Sequence, residues 1–167
     1  RRQRQMCIRD RIFSFNILID AKQTPAYTRY YEKFTTATKI DDFTVRMETK
    51  APVPPMELTL SLFFVVPPKY WTEVGGAAAY GRKPIGTGPF LFESWVRDAQ
   101  VVMKKNPSYW GRAPEGIDEL VFKPVPDDNA RVAGLIAGEY DVINNVPVSE
   151  TVDLKKRANI KVLPVNA

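Results

Sequence analysis

The chain has 167 residues, 44% hydrophobic and 26% charged, with 14 prolines, 9 glycines and a formal net charge of +5. That length suits one domain burying roughly 70% of its unfolded surface, and the composition is that of a folded globular protein. No apolar run reaches the roughly 18 residues of a membrane span, because 58–66 is interrupted by Thr59 and Ser61, and the complete lack of histidine removes the commonest general base, triad partner and metal ligand together.

Residues 1–10 back-translate in register to a sequencing-library transposase adapter, so they are read as an adapter-derived artefact outside the fold, with Arg11 at the junction. Five of the 24 lysines and arginines, at positions 1, 2, 4, 9 and 11, fall in this opening stretch. The remainder is nearly neutral and has no basic footprint for nucleic acid. Cys7, the only cysteine, also lies there, which leaves no disulfide and no thiolate metal site.

Residues 12–19 are densely apolar and lean towards a helix. A hairpin is predicted over 35–50, turning at Asp41-Asp42, with Phe43, Val45 and Met47 on one buried face. Pro54 or Pro55 opens a short helix through Leu60, and Pro67-Pro68 opens another that stops at Gly75-Gly76 and is followed by a loop. Residues 90–96 and 100–104 read as two antiparallel strands joined through 97–99, with a third strand over 118–125. Asp127 or Asp128 caps a helix with Val132, Leu135 and Ile136 on one face and Gly138 at its end. A short strand over 140–143, a helix capped by Ser149 and reaching about Arg157, and a final strand over 160–165 complete the pattern. Hairpins mixed with strand-helix-strand units predict an α/β fold with a mixed sheet and flanking helices.

Carboxylates are the remaining candidates for acid-base chemistry, at Asp41-Asp42, Asp118-Glu119 and Asp127-Asp128. Their contexts, a hairpin turn, a strand start and a helix cap, favour structural roles, so no catalytic residue is assigned. Gly86-Thr87-Gly88 lacks the Gly-Lys-Ser/Thr of a P-loop and the third glycine of a dinucleotide fingerprint, and Pro89 follows it. Those glycines are read as permitting a tight bend into the sheet. Trp95, Tyr109 and Trp110 are read as packing residues, within a turn started by Asn106-Pro107. Asn144-Asn145 follows the strand expected at 140–143, at a carboxyl-terminal strand edge where open α/β sheets bind ligands.

The run Pro84-Ile85-Gly86-Thr87-Gly88-Pro89-Phe90, then Trp95, then Asn106-Pro107-Ser108-Tyr109-Trp110-Gly111, then Ala130-Arg131-Val132-Ala133, then Gly138-Glu139-Tyr140-Asp141-Val142 resembles the successive signatures of the family 5 extracellular solute-binding proteins. The hairpin around Asp41-Asp42-Phe43 is similar to the stretch preceding them, so the resemblance covers nearly everything after the adapter. It implies part of the first lobe of a two-lobed periplasmic-binding-protein fold that closes on a ligand. By the same resemblance, 11–83 is the end of an inserted small subdomain and the return to lobe one. Residues 84–167 are a lobe-one segment truncated before the second lobe.

The implied partners are a small solute, foremost a peptide, and an ABC permease. The membrane is reached only through that permease or through a lipid anchor outside this sequence. The implied location is the periplasm or the cell surface as a lipoprotein, with no enzymatic activity, cofactor or metal. Phe63 and Phe64 lie in a stretch that approaches the cleft in such proteins and join Asn144 and Asn145 as expected ligand-facing residues. Gly86, Thr87, Gly88, Pro89, Tyr109, Trp110 and Gly111 are expected to be structural. The competing expectation is a sensory domain of the same fold attached to a regulator, which an upstream helix-turn-helix would mark.

Overall fold

The computed structural model describes residues 8–20, 29–112 and 114–164. The chain divides into two compact units, Arg1–Arg97 with Val101–Phe122, and Asp98–Gln100 with Lys123–Ala167.

In the first unit, helix α1 (Ile8–Ile19) realises the helix expected over 12–19 and extends it back to Ile8, so residues 8–10, expected to lie outside the fold, are part of it. Ile8, Ser14, Phe15 and Leu18 are its buried residues, at spacings that share one side of a helix. Strands β1 (Phe34–Lys39) and β2 (Val45–Thr49) form the expected antiparallel hairpin, from Lys39 opposite Val45 to a bulge between Phe34 and Thr36. Phe34 and Ala37 join Phe15, Leu18 and Tyr31 in the core, with Val45 and Met47 packed against it. Phe43 differs from its expected place on that face and is 86% exposed. It falls in the turn, before β2 begins, where side-chain alternation has no meaning. The turn is closed by Ile40 N–H donating to Thr44 O at 3.0 Å and Phe43 N–H donating to Asp41 Oδ1 at 2.7 Å.

Helix α2 (Met56–Ser61) starts after Pro55, and the buried Tyr31 hydroxyl donates to Thr59 O at 3.0 Å. Helix α3 (Pro68–Val74) has proline in its first turn and ends on Gly75, whose φ of 95° is the left-handed geometry glycine tolerates. The loop expected next is instead helix α4 (Ala77–Arg82). Its three alanines are the best helix formers available, and Tyr80 holds it against α3, with ring centroids 5.2 Å from Trp71 and 5.9 Å from Tyr70.

Between α2 and α3 the chain is tied to α1 by a fully buried serine. Ser14 Oγ accepts from Val66 N–H at 2.8 Å and lies 2.6 Å from Asp10 O, to which it donates. Ser14→Ala would leave the Val66 amide without its partner. A loss of about 1–2 kcal/mol is expected in denaturant unfolding, and an unchanged midpoint would contradict this role.

Strands β3 (Phe90–Val96), β4 (Gln100–Lys105) and β5 (Glu119–Phe122) form a sheet in that order. The three-residue link between β3 and β4 is too short for a parallel pair, and β4 pairs antiparallel with β5, Val101 opposite Phe122. The strand expected over 118–125 is thus confined to its centre.

In the second unit, helix α5 (Asp128–Ala137) is capped as expected: Asp127 Oδ1 accepts from Ala130 N–H at 2.7 Å, and Gly138 ends it at φ 78°. Val132 and Gly134 are its buried residues, whereas Ile136, expected on the same face, is 38% exposed. Helix α6 (Val148–Lys155) begins after Pro147, so Ser149 lies inside the first turn and does not cap it. Residues 140–143 and 160–164 are not strands. Their composition favours extended backbone, but a strand also needs a neighbour to complete its ladder, and among the described residues none pairs with them. The parallel component of the expected mixed sheet rested on these segments, so the described sheets are antiparallel. No helix among the described residues is long and apolar enough to cross a membrane.

Candidate functional site

The expected structural motif of the first unit is assembled by one side chain that the sequence did not single out. Asn106 is 4% exposed. Its Nδ2 donates to Gly88 O at 2.8 Å, its Oδ1 accepts from Ser108 N–H at 2.9 Å, and its own N–H donates to Pro89 O at 2.8 Å. The segment 86–89 and the turn 106–111 are thereby brought together just before β3 and just after β4. The turn closes with Tyr109 N–H donating to Asn106 O at 3.1 Å.

The glycines divide differently from expectation. A Cβ on Gly86 would meet nothing within 4 Å, and one on Gly88 would make only an ordinary 3.8 Å contact with Phe90 O. Neither has positive φ, so a tight bend does not require them. What the motif uses at 88 is the carbonyl that accepts from Asn106. Gly111 is different, because a Cβ there would lie 2.9 Å from Cε1 of Tyr109. Tyr109 in turn lies against Trp110, with centroids 5.3 Å apart. Trp110 and Trp95 remain 55% and 46% exposed, so neither is a core residue among the described contacts.

The two adjacent phenylalanines expected at a cleft part company. Phe63 packs into the core with its ring 5.9 Å from Phe15, while Phe64 is 63% exposed. Phe63 N–H still donates to Leu60 O at 3.0 Å in the closing turn of α2, and Ser14 fixes the chain two residues after Phe64, at Val66.

Asn144 and Asn145 belong to the second unit. Both are exposed, and Asn145 has φ 51°, a left-handed conformation that asparagine adopts more readily than most residues. The strand used to place them is absent, and a different device holds them: Arg131 Nη2 donates to Asn145 O at 3.2 Å. A Cβ on Gly134 would fall 2.3 Å from Cε2 of Tyr140. Gly134→Ala is therefore expected to cost about 1–3 kcal/mol through displacement of that ring. The double variant with Tyr140→Ala should recover part of the loss in the same unfolding assay, and strict additivity would contradict the contact.

The carboxylate pairs do structural work. The Phe43 N–H, then the Thr44 hydroxyl, hold the Asp41 carboxyl below its usual range, the reverse of what a general acid needs. Asp127 caps α5, and Asp118 lies 3.5 Å from Lys105 Nζ.

Comparison with solved structures places this fold among two-lobed periplasmic binding proteins, about a third of whose chain it matches. The periplasmic binding protein DppA from Helicobacter pylori, in complex with peptide STSA, matches over 91% of this chain and 33% of its own at 25% identity and TM-score 0.71. NikZ from Campylobacter jejuni shares the fold over 91% of this chain and 30% of its own, with TM-score 0.74 at 22% identity.

The model of the bacterial extracellular solute-binding proteins, family 5 middle, matches residues 5–167, and the chain belongs to that family. Among curated relatives, di/tripeptide-binding protein 4 of Pseudomonas aeruginosa is 33% identical over 134 residues, covering 77% of this chain and 25% of the relative. The glutathione-binding protein GsiB of Salmonella choleraesuis is 32% identical over 83 residues, covering 50% of this chain and 16% of the relative. The chain thus spans a quarter or less of these relatives' length. The family and these neighbours are binding proteins.

Sequence reasoning passed over Ser14, Arg131 and Gly134, and gave Asn106 only the role of starting a turn. Asn106 and Arg131 stood inside quoted motifs, and the signal available was a polar or cationic side chain set among turn-forming or apolar neighbours.

Proposed function

We propose that the protein captures a small peptide, of about two or three residues, outside the cytoplasm and delivers it to an ABC permease. The observation carrying this is the 33% identity to a di/tripeptide-binding protein across 77% of the chain, within a solute-binding family that matches nearly all of it. Two further relatives agree in ligand chemistry, since glutathione is itself a tripeptide and the DppA structure holds a short peptide.

In this reading 11–83 is the end of an inserted subdomain and return to lobe one, and 84–167 is a lobe-one segment. Phe64 offers an exposed apolar surface for a peptide side chain, with Phe63 anchoring the segment in the core. Asn144 and Asn145 offer amide donors and acceptors suited to peptide groups. The location in this reading is the periplasm, or the cell surface by way of a lipid anchor.

Uptake of a radiolabelled dipeptide by cells with and without the gene tests the transport role. Loss of uptake on deletion and its return on complementation are expected. Undiminished uptake of both di- and tripeptides would count against delivery to a permease.

A further inference from the structure

We infer that Arg131 is a positioning residue that holds Asn145 in its left-handed conformation and so presents the Asn144-Asn145 edge to the ligand, an inference resting on the ligand-facing reading of those two residues. Three observations within the second unit carry it.

The first is burial. The Arg131 side chain is 15% exposed, whereas Arg112 and Lys105 in their ion pairs are 89% and 36% exposed. Arginine is seldom buried unless its guanidinium is used.

The second is what the guanidinium holds. Nη1 donates to Val125 O at 2.6 Å and to Pro126 O at 3.2 Å, in the segment leading into α5. Nη2 pairs with Asp128 and donates to Asn145 O at 3.2 Å. One rigid planar group therefore joins the chain before α5 to the chain well after it, and lysine, with a single compact head, cannot span the same set of carbonyls. Nε is buried without a partner among the described residues. For packing alone, a methionine of similar length would fill the space without leaving an N–H unsatisfied, so the distinctive contribution of arginine is its reach to these carbonyls.

The third is strain at the far end. Asn145 has φ 51°, and a non-glycine residue there is held by its surroundings at a cost. The Arg131 contact to its carbonyl is the described interaction that fixes that peptide's orientation. A glycine at 145 would take the same conformation freely and need no such restraint.

The test uses the protein expressed from its complete reading frame, with isotope labelling for NMR and the dipeptide Met-Leu as probe. Arg131→Met is expected to move the Asn145 backbone carbon shifts away from left-handed values. Signals of the Phe15 and Trp71 core should stay put. In the Arg131→Met/Asn145→Gly double variant the left-handed population at 145 should return, because glycine takes that conformation without strain, a rescue that a merely structural role for Arg131 would not produce. Met-Leu affinity should fall about ten-fold in the single variant.

Unchanged Asn145 shifts in Arg131→Met would overturn the inference, as would altered shifts with unaltered affinity where Asn144→Ala does weaken binding. If neither Arg131→Met nor Asn144→Ala changes affinity although the shifts move, the ligand-facing reading of Asn144-Asn145 fails, and the inference as stated fails with it. Should Arg131→Met not fold, Arg131→Lys supplies the same readouts, with loss of the left-handed Asn145 shifts expected and their full retention contradicting the proposal.

Discussion

Phe15→Ala is expected to lower the stability of the first unit by about 3–5 kcal/mol, the range for truncating a fully buried aromatic. Phe15 is 0% exposed and makes edge-on ring contacts with Phe34 at 5.2 Å, Phe63 at 5.9 Å and Tyr31 at 6.1 Å. It thus joins α1, the hairpin and the segment leading to Phe64, and its removal empties the point where they meet. Phe43→Ala is the matched control. The same residue type at 86% exposure should change stability by no more than about 0.5 kcal/mol. Urea midpoints followed by tryptophan fluorescence separate the two, and equal effects would mean that the core has been misplaced.

The second large effect is expected at Asn106. Asn106→Ala leaves the Gly88 carbonyl and the Ser108 amide without their partner, and a loss of about 1–3 kcal/mol follows from removing the buried side chain that bridges them. Asn106→Asp makes the effect depend on pH. The new carboxyl group can donate to Gly88 O only while protonated, and ionised it is a buried charge facing an acceptor. Its folded pKa is therefore raised above the unfolded value of about 3.9. For a group shifted upward, the protonated form's stability is fully present below the unfolded pKa and is lost as pH rises through the folded one. The variant should be close to wild type near pH 3 and progressively weaker towards neutrality, relative to wild type at each pH. A pH-independent difference would show that Asn106 does not donate to Gly88.

Local patterns in the sequence located the elements whose stability is local. Alternation and a two-aspartate turn gave the hairpin, proline gave the starts of α2 and α3, and Asp127 with Gly138 bracketed α5. The misses fall where structure depends on partners distant in sequence. Residues 140–143 have strand composition but no ladder, and Ile136 is apolar yet lies off the face that Gly134 and Val132 bury. α4 was missed for the opposite reason: Gly75 and Gly76 were read as the onset of a loop, although they only separate two helices that then pack through Trp71 and Tyr80.

The candidate site was legible in the same partial way. The quoted motifs contain Asn106 and Arg131 but do not mark which residue in each makes the backbone contacts. Asn106 and Arg131 act through backbone carbonyls, and carbonyls are invisible to residue-type patterns. The split between Phe63 and Phe64 needed the backbone geometry that Ser14 fixes.

The most direct test of the peptide-binding proposal is calorimetric titration of the protein from its complete reading frame with Met-Leu, a tripeptide and glutathione, alongside a sugar as a non-peptide solute. The account predicts saturable one-site binding of at least one of the peptides, at about micromolar dissociation constants or tighter, and none of the sugar. Tight binding of the sugar with no heat from any peptide would contradict it.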